Sequence, residues 1–190
     1  MIFLNARRFF SFAFASLAFF LMAFSVNAET RDEQLTRLFT ELHDAPSKEV
    51  AAQIESRIQS LWLKSKSDTT DLLMQRAAMA IANQDYPVAI EMLDRVITRE
   101  PDFAEGWNRR ATVFFLMEDF NRSISDIAET LKREPRHFGA LSGLGFILLM
   151  RGDTAHARET YEKVLAIYPL MESARLTIEK IDKEKGETSL

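Results

Sequence analysis

A fixed spacing of prolines constrains this chain more than any other feature of its sequence. Pro101, Pro135 and Pro169 lie 34 residues apart. Small residues recur at the same interval in two slots, at positions 77, 111 and 145 and at positions 89, 123 and 157. A 34-residue period with small residues in two slots is typical of stacked helix–turn–helix units, because small side chains let helices approach closely. The sequence therefore predicts an all-α solenoid of antiparallel helix hairpins over residues 70–169.

These recurring residues resemble the tetratricopeptide repeat (TPR) family. The middle and third repeats carry most of the resemblance, through Trp107, Ala111, Phe114, Ser123, Ile127, Pro135, Leu141, Leu144, Gly145, Leu148, Ala157, Tyr161, Val164 and Pro169. The first repeat matches through Leu73, Ala77, Ala80, Ala89, Leu93, Val96 and Pro101. The resemblance implies a right-handed α-solenoid with repeats at residues 70–103, 104–137 and 138–169. It says little about function, because such repeats serve many unrelated partners.

The segments on either side of the repeats predict further helices. Residues 29–69 predict a divergent helical hairpin, broken at Ala45-Pro46-Ser47, which we expect to stack on the first repeat. The alternative is a self-contained cap. Residues 170–190 predict a charged helix that ends the solenoid, followed by a disordered tail from Gly186.

Polar residues mark where several helices begin. Asp85 is expected to cap the second helix of the first repeat, and Gly152-Asp153 is expected to form a tight turn in the third. Asp102 and Glu105 have the spacing of a reciprocal cap for the first helix of the middle repeat. These signals predict where the helices of the repeats begin.

An arginine occupies a slot that usually holds leucine in the repeat family. Arg110 is that residue in the middle repeat, and Arg76 stands at the same position in the first. Because the slot leans inward, the guanidinium of Arg110 is expected to pair with a carboxylate. Asp126 lies on the facing helix and is the predicted partner.

Residues 1–28 have the composition of an export signal. Arg7 and Arg8 precede a charge-free apolar run over residues 9–26, and Val26-Asn27-Ala28 places small residues where a signal peptidase reads. Cleavage after Ala28 predicts a periplasmic protein. The alternative is an inner-membrane anchor, because the apolar run is long enough to span a bilayer.

The charge balance argues against a nucleic-acid partner. The chain has 24 basic and 28 acidic residues, and loss of residues 1–28 removes two of the basic ones. A protein that binds nucleic acid usually presents a basic stripe. The chain also has no cysteine, which excludes a lipid-modified cysteine.

No arrangement of residues predicts catalysis, a cofactor or a metal site. The three histidines are scattered, and none lies four residues along a helix from another type of metal ligand. Gly139, Gly143 and Gly145 superficially suggest a phosphate-binding loop, but they follow no strand and lack the required spacing. We interpret them instead as positions where helices pack closely. The sequence therefore favours a binding module over the alternative, an enzyme.

The first helix of each repeat is expected to line a concave surface. Its apolar anchors and small polar groups suit a peptide segment of another protein. The predicted partner-binding residues are Met74, Ala78, Ile81, Asn108, Arg109, Thr112, Phe115, Ser142, Phe146 and Leu149. Arg109, with Phe115 and Phe146, is expected to form the centre of the groove and to contact an acidic segment.

Some tetratricopeptide proteins hold a C-terminal carboxylate with lysines and asparagines at set repeat positions. Met74, Ala78, Gly139 and Gly143 occupy most of those positions here, which disfavours that function. The sequence thus predicts a non-enzymatic adaptor or scaffold in the bacterial cell envelope. The alternative is a structural subunit that self-associates through the same surface.

Overall fold

A computed structural model describes residues 29–188, and over that range it contains only α-helices and turns. The helices are α1 (Arg31–His43), α2 (Lys48–Leu63), α3 (Asp68–Ala82), α4 (Tyr86–Arg99), α5 (Ala104–Leu116), α6 (Phe120–Arg133), α7 (Phe138–Met150), α8 (Thr154–Ile167) and α9 (Glu172–Thr188). The expected all-α solenoid is confirmed. Within the described range no helix has the length and apolar character needed to cross a membrane. The predicted export signal, residues 1–28, lies outside that range.

Helices α3 to α8 form three antiparallel hairpins that turn in the same way. The turn residue has a positive φ each time, 59° at Gln84, 59° at Glu118 and 76° at Gly152. In the middle hairpin the N–H of Asp119 donates to the carbonyl of Phe114 at 2.8 Å, which closes a Schellman motif. Only Gly152 lacks the Cβ that makes this backbone conformation unfavourable.

An aspartate caps the second helix of each hairpin. The carboxylates of Asp85, Asp119 and Asp153 accept the N–H of the third residue along, at 3.3, 3.1 and 3.3 Å. The predicted cap and the predicted tight turn at Gly152-Asp153 are therefore confirmed. Each capped helix ends two residues before a proline of the 34-residue series, because proline disfavours a helical residue before it.

The N-terminal hairpin, α1 and α2, packs against the second half of the solenoid. Its buried residues share one core with α7, α8 and α9, and that core consists of Leu35, Leu38, Phe39, Leu42, Ala51, Ile54, Ile58, Trp62, Phe138, Leu141, Tyr161, Val164, Tyr168 and Ala174. In the described part of the chain, no residue of α3 or α4 belongs to this core. The expected stacking of the hairpin on the first repeat is therefore wrong.

Aromatic contacts explain where the N-terminal hairpin packs. The ring of Trp62 on α2 stacks on that of His137, with centroids 4.0 Å apart and planes 7° apart. Trp62 also packs against Phe138, and the guanidinium of Arg136 lies 4.2 Å from the ring centre of Phe39 on α1. Aromatic side chains bury much apolar area, and these contacts attach the N-terminal hairpin to α7 and to the turn before it.

The predicted pairing of Arg110 with Asp126 is confirmed. Nε of Arg110 donates to Oδ2 of Asp126 at 2.7 Å, and Nη2 donates to Oδ1 at 2.9 Å. Nη1 reaches Asp94 on α4 at 2.6 Å. The arginine thus ties α5 both to its own hairpin partner α6 and to the preceding hairpin.

The C-terminal helix runs further than the sequence suggested. Gly186 was expected to begin a disordered tail, but α9 continues through it to Thr188. The apolar residues Ala174, Ile178 and Ile181 face the rest of the fold, and charged side chains cover the other faces of the helix. This arrangement closes the C-terminal end of the solenoid with a polar surface.

Candidate functional site

A cavity of about 430 Å³ opens between α5 and α7 on the concave side of the solenoid. Five of the predicted binding residues line it, namely Asn108, Thr112, Phe115, Ser142 and Phe146. Beneath them lie Ala111, Ser123, Ile127 and Tyr161, which the sequence predicts only as repeat positions, together with Ala140 and Ile147. The cavity therefore combines predicted binding residues at its opening with mostly apolar side chains beneath them.

Two phenylalanines from neighbouring repeats form one rim of this cavity. The rings of Phe115 and Phe146 meet edge to face, with centroids 5.7 Å apart. Phe120 supports Phe115 from α6, at a centroid distance of 5.8 Å. Phe146 remains largely exposed to solvent. An exposed ring held by a second ring is a ready apolar contact for a ligand.

Glycines on α7 make room for the cavity. A Cβ on Gly143 would meet only the Cδ1 atom of Ile127, at 3.8 Å, whereas a Cβ on Gly145 would lie 2.8 Å from the Tyr161 ring. The expectation of close helix packing is thus right for Gly145 and wrong for Gly143, which lines open space. Gly143 lies 34 residues after Arg109. The repeat spacing therefore indicates that the third repeat lacks the long side chain that the middle repeat has at this position.

The polar side chains at the rim can accept hydrogen bonds but have little left to donate. The hydroxyl of Thr112 already donates to the Asn108 carbonyl at 3.0 Å, and that of Ser142 donates to the Phe138 carbonyl at 2.8 Å. Among the residues that the structure describes, no charged side chain lines this cavity. The lining suits a ligand that has an apolar side chain and, next to it, backbone N–H groups that can donate hydrogen bonds to the hydroxyl oxygens.

Arg109 lies beside the cavity between α5 and α7. It lines a second cavity of about 230 Å³ together with Trp62, Glu105 and His137. Its Nε donates to Oε1 of Glu105 at 2.7 Å. The carboxylate of Glu105 is buried and also accepts the side-chain amide of Asn108 at 3.0 Å. Arg109 was expected to be a free anion contact, but its charge is largely balanced by this buried glutamate.

Glu105 does not take part in the predicted reciprocal cap with Asp102. Helix α5 begins after Phe103 without a side-chain cap, because Glu105 points inward. His137 accepts the N–H of Ala140 at Nδ1, which leaves the proton on Nε2 to donate to Glu105 at 3.1 Å. Burial works to raise the pKa of Glu105, but the hydrogen bond from His137 and the charge of Arg109 outweigh it and lower the pKa.

The remaining predicted residues lie away from both cavities. Met74 is buried in the core of the first hairpin, and Ile81 packs against that core. Ala78 is exposed on α3, and Leu149 packs on the core beneath α1 and α2. Within residues 29–188, no cluster of three histidine or acidic side chains is arranged to hold a metal ion.

Comparison with known proteins identifies a matching family and several relatives. The tetratricopeptide repeat family matches over residues 111–172. A TPR repeat-containing protein of Rhizobium etli is 41% identical over 150 residues, which cover 78% of this chain and 74% of that protein. The small glutamine-rich tetratricopeptide repeat-containing protein 2 of Saccharomyces cerevisiae is 29% identical over 124 residues, covering 65% of this chain but only 36% of its own length.

Solved structures show the same arrangement of helices. The first TPR domain of Spaghetti (RPAP3), bound to the HSP90 peptide SRMEEVD, superimposes with a TM-score of 0.59 at 20% identity. The match covers 64% of this chain and 96% of that domain. At this level of identity the likeness shows the fold alone.

Proposed function

Because this chain belongs to the tetratricopeptide repeat family, whose members are typically non-catalytic interaction modules, we propose that it is a non-enzymatic adaptor. It binds a segment of a partner protein in the cavity between α5 and α7. The observation that carries this proposal is the uncharged lining of that cavity beneath an exposed phenylalanine rim. Enclosed apolar space beside a few hydrogen-bond acceptors is typical of a peptide site.

The lining favours an apolar anchor residue in the bound segment. The cavity of about 430 Å³ has room for an apolar side chain, and the hydroxyl oxygens of Thr112 and Ser142 can accept backbone N–H groups of the same segment. An acidic segment is the alternative, and it depends on Arg109, whose guanidinium already pairs with Glu105. The similar RPAP3 domain holds the HSP90 peptide SRMEEVD, which supports a peptide as the class of ligand.

A substitution that fills the cavity tests this proposal. Gly143→Leu places a side chain in the open space, while the matched Gly186→Leu change adds the same side chain at an exposed glycine of α9. Short peptides selected on the wild-type protein from a random display library are expected to carry an aliphatic or aromatic anchor. The first variant is expected to bind them at least about tenfold more weakly, since burial of one such side chain is worth about 1.5–3 kcal/mol.

Two results separate this proposal from its alternatives. Equal binding by the wild type, Gly143→Leu and Gly186→Leu would place the site elsewhere. Loss of binding in Arg109→Glu, confined to peptides that contain aspartate or glutamate, would show that an acidic segment is the ligand. Circular dichroism at 222 nm checks that each variant keeps its helices.

We also propose that the protein acts in the bacterial cell envelope. The support is the sequence pattern of residues 1–28, whose charged start, apolar run and small residues at positions 26 and 28 are typical of an export signal. The intact mass of protein from the periplasmic fraction is expected to correspond to a chain that begins at Glu29. A chain that keeps residues 1–28 and occurs only with membranes would favour the inner-membrane anchor.

A further inference from the structure

The 34-residue period allows one surface to be compared on four helices. On α5, α7 and α9 two positions seven residues apart are buried against the preceding hairpin, namely Gly106 with Val113, Ala140 with Ile147, and Ala174 with Ile181. On α3 the equivalent residues are Leu72 and Met79, which are 47% and 62% exposed. The surface that packs against the preceding hairpin is thus buried on α5, α7 and α9 but exposed on α3.

Packing on α5 shows what this surface normally contacts. A Cβ on Gly106 would lie 2.8 Å from Cγ1 of Val96 on α4, and Val113 shares a core with Val96 and Leu93. The preceding hairpin therefore covers these positions with the apolar stripe of its second helix. On α3 no such helix is present in the described structure, because α1 and α2 pack against α7, α8 and α9.

A charged residue lies between the two exposed apolar ones. Arg76 is one 34-residue step before Arg110, which reaches back to Asp94 on the preceding helix at 2.6 Å and forward to Asp126. Met92 occupies the position equivalent to Asp126, so the forward carboxylate is absent in the first repeat. Within the described residues Arg76 forms no ion pair. No helix there precedes α3 in the stack to supply a carboxylate equivalent to Asp94.

The opposite end of the solenoid does not offer a matching surface. The outer side of α9 carries charged residues that pair among themselves or with α8, as in Arg175 with Glu179 and Arg158 with Asp182. A head-to-tail second copy would therefore meet charge rather than an apolar stripe. Two copies joined through antiparallel α3 helices would bring Arg76 against its symmetry mate, which is unfavourable.

We propose that Leu72, Arg76 and Met79 on α3 dock an amphipathic helix of a partner protein. The apolar stripe of that helix covers Leu72 and Met79, and one of its carboxylates pairs with Arg76. The contact is the intermolecular counterpart of the way α4 covers α5 within this chain, with the helices further apart because Leu72 stands at the position of Gly106. This end surface, which we call the α3 end face, is separate from the cavity between α5 and α7.

A peptide copy of α4 is a direct probe of this face. The peptide spans residues 85–100, with Arg95 replaced by lysine so that a lactam joins positions 91 and 95, which pair on the exposed side of the helix. Binding to the full chain is measured by fluorescence anisotropy. Met79→Glu is expected to weaken binding at least about tenfold, whereas Met150→Glu, at a similarly exposed methionine of α7, is expected to leave it unchanged.

A charge exchange tests the role of Arg76. Arg76→Glu is expected to weaken binding of the peptide, and the peptide with Asp94→Lys is expected to bind this variant better than it binds the wild type. Failure of the peptide to bind, or of the exchange to restore binding, would overturn the proposal. So would a dimer in light scattering that Met79→Glu abolishes, since the occupant of the face would then be a second copy of this chain.

Discussion

Truncation of Asp126 is expected to destabilise the middle repeat strongly. The side chain of Asp126 is only 5% exposed, and it holds both Nε and Nη2 of Arg110, which is itself 18% exposed. After Asp126→Ala the guanidinium keeps a single carboxylate, Asp94, which lies on the surface at 52% exposure. A largely buried charge thus loses the partner that offsets its desolvation.

The expected loss of unfolding free energy follows from the difference in burial between Asp126 and Asp94. Removal of one partner from a buried ion pair typically costs about 3–5 kcal/mol, and the surviving bond to Asp94 argues for the lower end. We therefore expect Asp126→Ala to lower the free energy of unfolding by about 3 kcal/mol. The matched change Asp94→Ala removes a carboxylate from the same arginine at the surface and is expected to cost less than about 1 kcal/mol.

Urea unfolding followed by circular dichroism at 222 nm measures these values. A double-mutant cycle with Arg110→Ala and Asp126→Ala is expected to show a coupling of about 1–3 kcal/mol. The third repeat offers a further control, because Leu144 and Thr160 occupy the two equivalent positions. The double variant Arg110→Leu, Asp126→Thr copies that pair and is expected to be within about 1 kcal/mol of the wild type.

Two outcomes would refute this reasoning. Additive effects of Arg110→Ala and Asp126→Ala would mean that the pair contributes no interaction energy. An equal loss for Asp94→Ala and Asp126→Ala would mean that burial does not set the strength of the contact.

Three further predictions concern the turns, the glycines and the buried glutamate. Glu118→Gly is expected to raise the unfolding free energy by about 1 kcal/mol in urea titrations, because the residue adopts a left-handed φ of 59°. Gly143→Ala is expected to stabilise α7 by up to about 1 kcal/mol, whereas Gly145→Ala costs about 1–3 kcal/mol because its Cβ has no room. The folded-state pKa of Glu105 lies below its ordinary value of 4.5, so its contribution is present above that pH and is lost as the pH falls through the folded-state pKa. Acid titration of Trp62 fluorescence, measured in a Trp107→Phe background because the chain has two tryptophans, is expected to show undocking of the N-terminal hairpin, and Glu105→Gln is expected to remove this acid dependence.

The sequence alone was enough to predict the repeats, because their signals are local and occur three times. An aspartate begins each second helix, a proline follows its end, and small residues mark the helix crossings. Each signal acts within one hairpin, so no distant contact is needed to interpret it. The pairing of Arg110 with Asp126 was predictable for the same reason, since both residues belong to one hairpin.

Only the tertiary structure decided which surfaces are covered. Stacking of α1 and α2 on α3 was the simplest expectation, but Trp62 stacks on His137 and packs against Phe138, and Phe39 contacts the guanidinium of Arg136. That choice leaves Leu72 and Met79 exposed. It also places Trp62 over the buried group formed by Glu105 and its neighbours. Such competition between distant surfaces depends on their shape and total buried area, and neither can be calculated from a 34-residue period.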